Sequence, residues 1–204
     1  MTAFAQFESK LATGTEAAPS PNWPTTLGGA TVTVVDSSGA ALPAEISYAS
    51  PKQVNYRVPP GAATGLATVR LTAAGVTVMS ALNIVSFYPG IFKQNVENLA
   101  AAQVARIRDG RTLYEPVTGP ITIGPAAEQA TLILYGTGLN SASNATATIG
   151  GASVPVAYAG PQGTFPGLDQ INIPLPADLA RRGKVDIVVT AAQKPSNPVQ
   201  VTFQ

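Results

Sequence analysis

Cysteine and histidine are both missing from this 204-residue chain. Without them there are no disulfides, no thiol nucleophile, no zinc or haem site of the usual kinds, and no imidazole to relay protons. Charge is also scarce: Asp, Glu, Lys and Arg make up 11% of residues, against about 25% in typical soluble proteins. The formal net charge of +1 supplies no field to draw in nucleic acid or anionic lipid. No apolar run nears the ~18 residues of a membrane-spanning helix. The amino terminus lacks the basic, apolar and small-residue pattern of a signal peptide. Its abrupt opening leads to the expectation of a fragment whose export signal lay upstream.

What the chain does have is Gly (19), Pro (18) and many Val, Ile and Thr. Low charge with high β-branched content describes a β-rich body with polar, uncharged surfaces, not a disordered chain. Residues 30–35 (ATVTVV) and 53–58 (QVNYRV) read as strands, as does 42–48. Residues 67–73 and 76–85 flank Ala74-Gly75 as a hairpin. Later strands are expected at 131–135, 145–149, 154–158, 170–175, 185–190 and 199–203. Short strands at roughly ten-residue spacing, punctuated by Gly and Pro, argue for a β-sandwich.

The order of features repeats. Residues 131–140 (TLILYGTGLN) have a weaker copy at 2–12, with Phe7 matching Tyr135 and Leu11 matching Leu139. Tyr48-Ala49-Ser50-Pro51 matches Tyr158-Ala159-Gly160-Pro161, and Gln53-Val54-Asn55 matches Gln170-Ile171-Asn172. We therefore expect two tandem sandwiches: domain 1–92, a linker 93–126, and domain 127–204. The linker carries a hairpin at Asp109-Gly110, where Gly accepts positive φ, a helical turn within 93–102 and a short strand at 121–123. Pro174 predicts an edge position or a bulge for its strand. Asn is depleted in strands, so Asn55 and Asn172 either pin strand order, face solvent or meet a ligand.

Candidate sites are sparse. Arg106, Arg108 and Arg111 around the hairpin tip are the densest charge group. Their expected role is a solvated surface; the alternatives are an interaction patch that clamps the two domains or a neighbouring domain through Glu97, Glu115 or Glu128, and a site for a carboxylate or phosphate. The hexapeptide Phe87-Tyr88-Pro89-Gly90-Ile91-Phe92 is expected to close the first domain and pack as its junction with the second. Trp23, Tyr114 and Tyr158 are the rings an aromatic ligand surface would use. No Gly-x-Ser-x-Gly elbow, phosphate loop or calcium-loop spacing is present. No catalytic, cofactor-binding or metal-ligating residue is assigned, and an enzyme is not expected.

Leu132 to Leu139, Thr148-Ile149-Gly150-Gly151, Tyr158-Ala159-Gly160, Gln170-Ile171-Asn172 and Asn197-Pro198-Val199, in that order, resemble the uncharacterised C-terminal domain of many acidobacterial exported proteins. Each half also resembles the immunoglobulin-like IPT/TIG fold, the first through Leu27-Gly28-Gly29, Tyr48-Ala49-Ser50-Pro51, Gln53-Val54-Asn55 and Pro89-Gly90-Ile91-Phe92. The chain departs from that pattern at Glu8-Ser9-Lys10 and in the long turn at residues 36–41. The resemblance implies tandem immunoglobulin-like sandwiches in a secreted or cell-surface bacterial protein, with no catalytic residues to carry over. The expected function is a structural or adhesive module contacting other domains of a larger exported protein or neighbouring copies. The alternatives are a glycan-binding module, or a filament subunit exchanging residues 1–7 or 199–204 as an edge strand.

Overall fold

The computed structural model describes residues 2–4, 10–19, 21–95, 97–124, 129–140, 142 and 144–204. Phe7, Glu8, Ser9 and Glu128, used in the sequence reading, lie outside them. The described elements are strands and a 3-10 turn at Ala177–Leu179. The chain divides into two units, Met1–Ser86 with Thr164–Pro166 and Phe87–Gly163 with Gly167–Gln204.

The first unit contains β1 (Thr2–Phe4), β2 (Glu16–Ala17), β3 (Thr26–Leu27), β4 (Ala30–Val35), β5 (Ala41–Pro43), β6 (Ile46–Ser50), β7 (Gln53–Tyr56), β8 (Gly65–Ala73) and β9 (Val76–Ile84). One sheet runs β1-β7-β6-β2; the other runs β3-β4-β8-β9, with β5 also on β4. Period-two alternation turns Val32 and Val34 of β4 and Val69 and Leu71 of β8 into a core shared with Ile46, Ala49 and Val54. Each such aliphatic side chain stabilises the fold by ~1.5–3 kcal/mol on burial, far more than the few exposed ion pairs. The β4–β5 turn closes on Asp36, whose carboxylate accepts the Ser38 and Ala40 N–H groups, the Ser38 hydroxyl and the distant Ala63 N–H.

The second unit contains β10 (Gly90–Ile91), β11 (Ala102–Arg108), β12 (Arg111–Pro116), β13 (Gln129–Thr137), β14 (Thr146–Ile149), β15 (Ala152–Pro155), β16 (Tyr158–Pro161), β17 (Asp169–Pro174), β18 (Gly183–Ala191), β19 (Lys194–Pro195) and β20 (Val199–Phe203). Its sheets are β12-β11-β13-β17-β16, with β10 on β13, and β15-β14-β18-β19, with β20 on β18. Leu132, Leu134, Ile171 and Ile173 from the first sheet meet Ile187, Val189, Val201 and Phe203 from the second in one core.

The same pairing scheme recurs in both units. β1-β7-β6 corresponds to β13-β17-β16, and β5-β4-β8-β9 to β15-β14-β18-β20. Tyr48 faces Asn55 and Ala49 faces Val54, as Tyr158 faces Asn172 and Ala159 faces Ile171. Side chains repeat too: Gln53 Nε2 donates to Asn55 Oδ1 at 2.7 Å, and Gln170 Nε2 to Asn172 Oδ1 at 2.8 Å. Register corrects one detail. Phe4 stands opposite Gln53 as Tyr135 stands opposite Gln170, so the amino-terminal copy begins earlier than the Phe7 match implied. The two glycine pairs are also not equivalent: Gly28-Gly29 joins β3 to β4, whereas Gly150-Gly151 joins β14 to β15.

Several boundaries move. The segment expected as a linker, 93–126, belongs to the second unit, because β11 lies between β12 and β13 and its inward Ala102 and Val104 complete that core. The boundary falls at Ser86 and Phe87, not after Phe92. Among the described residues of 93–102 no helical turn forms; Lys93 bridges Ala100, and Asn95 Oδ1 accepts the Glu97 and Leu99 N–H groups inside the loop. Ile121 forms an isolated bridge to Phe203 rather than a strand. The expected strand 42–48 breaks between β5 and β6. β17 is central, and Pro174 is tolerated because β16 pairs only as far as Asn172. The two terminal strands that the filament alternative would pair in trans are paired in cis, β1 with β7 and β20 with β18.

Candidate functional site

Cross-strand register defines the outer face of the second unit's larger sheet. Leu132 and Leu134 of β13 point to the core, so Thr131, Ile133 and Tyr135 point away from it. Direct partners share a face, which adds Ala105 and Gln103 of β11, Tyr114 of β12, Gln170 and Asn172 of β17, and Tyr158 of β16. Gln103 Nε2 donates to the Tyr135 hydroxyl at 2.8 Å, and the Tyr158 hydroxyl donates to the Pro161 carbonyl at 2.6 Å. Burial, with the Tyr114 phenol nearby, raises the Tyr135 hydroxyl above its ordinary pKa. Tyr135 is the ring the candidate list omitted, although its alternation with Leu132 and Leu134 placed it on this face.

The three predicted rings divide between the two units. Trp23 is half-buried in the first unit, whereas Tyr114 and Tyr158 lie in the second. Those tyrosines are exposed but occupy the opposite edge strands β12 and β16, four strand spacings or about 19 Å apart. Ile133, between them, is buried. The face therefore carries separate rings at its margins and hydrogen-bonded amides across its middle.

The arginine group also separates. Arg106 lies on the inward face of β11 with Ala102 and Val104, and only 4% of it is exposed. Its Nε lies 2.8 Å from Glu115 Oε2, and its Nη2 donates to the Thr122 carbonyl. Of the expected partners among the described residues, Glu97 and Glu115, it is Glu115 that is joined to it. Arg108 and Arg111 face each other at the exposed hairpin tip. As a surface interaction patch the trio is overturned, since alternation drives its first member inward. Arg182 pairs with exposed Asp178 at 3.4 Å.

The hexapeptide opens the second unit instead of closing the first. Phe87 packs against the second core and Pro89 and Ile91 are buried, while Tyr88 and Phe92 are exposed. Asn197 fixes it in place: Oδ1 accepts the Ile91 N–H at 2.9 Å and Nδ2 donates to the Ile91 carbonyl at 3.0 Å. This bidentate amide stands in for a strand partner. Gly138 lets the segment approach, because a Cβ there would strike the Tyr88 carbonyl. Asp169 holds the neighbouring loop through the Leu139 N–H at 2.8 Å; burial raises its pKa, opposed by N–H donors of Leu139, Asn140 and Gly138.

Among the described residues, no group of three or more His, Cys, Asp or Glu could hold a metal ion. No described helix is long and apolar enough to cross a membrane. Among the described residues, Arg57 Nε is the buried side-chain polar atom left without a hydrogen-bond partner, although its guanidinium meets Glu45 at 2.7 Å. The fold and these contacts define an all-β chain of two β-sandwich-like units repeated in tandem. Comparison with protein-family models, curated proteins and solved structures returned no match.

Proposed function

We propose that this chain is a non-catalytic module of a secreted or cell-surface bacterial protein, whose two units are immunoglobulin-like sandwiches of the IPT/TIG kind. It spaces or docks other domains, or neighbouring copies, through protein–protein contacts. The observation that supports this most is the use made of the buried polar side chains. Buried Asp36, Asp169 and Arg106, joined by half-buried Asn197, each bind backbone of a turn or adjoining segment, so they hold loops in place. Catalytic groups in a cleft would instead converge on one another.

The carbohydrate alternative needs Trp23, Tyr114 or Tyr158 exposed as a flat surface beside polar side chains; Tyr114 and Tyr158 are exposed, but on opposite sheet edges, so they form no shared platform. Probing a glycan array with the full chain is the test. The expected result is no response above background. A response abolished by Tyr114→Ala or Tyr158→Ala would replace the spacer or adhesive reading with glycan binding.

A further inference from the structure

The two units treat one equivalent strand edge differently. In the second unit, the outer edge of β20 is covered by the chain itself. Ala100 N–H donates to the Gln200 carbonyl and Gln200 N–H to the Asn98 carbonyl, at 3.0 and 2.8 Å. Further along, Ile121 N–H donates to the Thr202 carbonyl and Gln204 N–H to the Ile121 carbonyl, at 2.7 and 3.0 Å. The inward Val199, Val201 and Phe203 are fully buried beneath this cover. β9, the counterpart in the first unit, pairs with β8 alone among the described residues. Its Val76 is 64% exposed and its Met79 69%.

Unpaired edges expose backbone donors and acceptors, and proteins blunt them with charge, proline, bulges or short length. The other described edges have such devices. β12 carries Arg111, Glu115 and Pro116; β15 and β16 are four residues long and each ends in proline; β2 and β19 have two residues. β9 has none: its nine residues, VTVMSALNI, include no charge, proline or glycine. Its register with β8 runs unbroken from Gly65–Ile84 to Ala73–Val76, so no bulge twists the edge away.

Resting on the reading of the chain as a protein-contact module, we infer that β9 is a dimer edge whose occupant is β9 of a second copy. The two strands run antiparallel about a two-fold axis at Ser80. That register engages every residue of a strand about 30 Å long. It sets Val76 against Ile84 and Val78 against Leu82 on one face, and Met79 against Ala81 on the other. Apolar meets apolar and no like charges oppose each other, as a self-complementary two-fold interface requires. The occupant supplies the backbone partners and cover that residues 98–100 and 121 supply to β20.

The absence of cysteine makes the test direct. The full chain is measured by sedimentation velocity across the micromolar range, where interfaces of this small class associate. Mass is expected to rise from monomer to dimer. Met79→Lys, an exposed change that should leave the thermal transition in place, is expected to hold the chain monomeric. On oxidation, Ser80→Cys is expected to form a covalent dimer. Thr77→Cys is expected to remain uncrosslinked, because its sulfurs would lie about 20 Å apart, beyond disulfide reach. A monomeric wild-type chain overturns the inference, as does a dimer that survives Met79→Lys or crosslinks equally well through Thr77→Cys. The glycan array decides the broader reading separately, so the two can fail independently.

Discussion

Arg106 and Glu115 meet at 2.8 Å across the β11–β12 hairpin, the arginine buried and the glutamate half open to water. Removing each partner should therefore have unequal cost. Arg106→Ala deprives the Thr122 carbonyl of a donor and empties an inward position, for an expected loss of about 2–3 kcal/mol. Glu115→Gln loses a partly screened charge and should cost about 1 kcal/mol. Urea unfolding monitored on both variants checks the order.

Asn197 and Gly138 together seat the segment that opens the second unit. Asn197→Ala leaves both Ile91 backbone groups without their partner and should cost about 1–3 kcal/mol. Gly138→Ala combines a φ of +79° with a collision at the Tyr88 carbonyl and should cost at least ~2 kcal/mol. Hydrogen exchange at the Ile91 and Tyr88 amides should accelerate in both variants before the rest of the unit opens.

Two aspartates give the units opposite responses to pH. Hydrogen bonds from the Ser38 hydroxyl and the Ala63 amide, aided by the Ser38 and Ala40 amides, lower Asp36 from 3.8 to about 2. Its contribution is complete above the unfolded value and disappears as pH falls through about 2. Burial raises Asp169, so its folded form binds the proton more tightly. That contribution is complete below the unfolded value and disappears as pH rises through the raised one. Unfolding curves across acid pH should lose the first dependence in Asp36→Asn and the second in Asp169→Asn.

The repeated amide pairs should behave alike. Asn55→Ala and Asn172→Ala each remove one Gln–Asn side-chain bond from an outer sheet face, for at most ~1 kcal/mol apiece. Because the residues lie in different units, their effects should add in the double variant. Calorimetry on the two single variants and the double variant measures this.

Much of this architecture was legible in the sequence. Alternation in ATVTVV and QVNYRV, the Asp109-Gly110 hairpin and the two Gln-x-Asn motifs are local signals, set by the two-residue strand period and by turn chemistry. They were enough to identify an all-β chain and its repeats. Tyr135 could have been placed on the outer face by the same alternation. Hairpin partners such as β8 with β9 and β11 with β12 were legible, but the other pairings were not, because those strands are adjacent in a sheet and distant in sequence. The 93–126 segment looked like a linker since its apolar residues have no core until β13 and β20 are beside them.

Sequence alone determined the β-sandwich chemistry: low charge, β-branched alternation and glycine-proline punctuation permit little else, and the missing cysteine and histidine remove the commonest reactive groups. Tertiary structure decided which residues share a surface. It buried Arg106, parted Tyr114 from Tyr158 and, among the described residues, left the outer edge of β9 without a strand partner while covering that of β20. Exposure depends on the neighbouring strand and the opposing sheet, and those belong to parts of the chain far away in sequence.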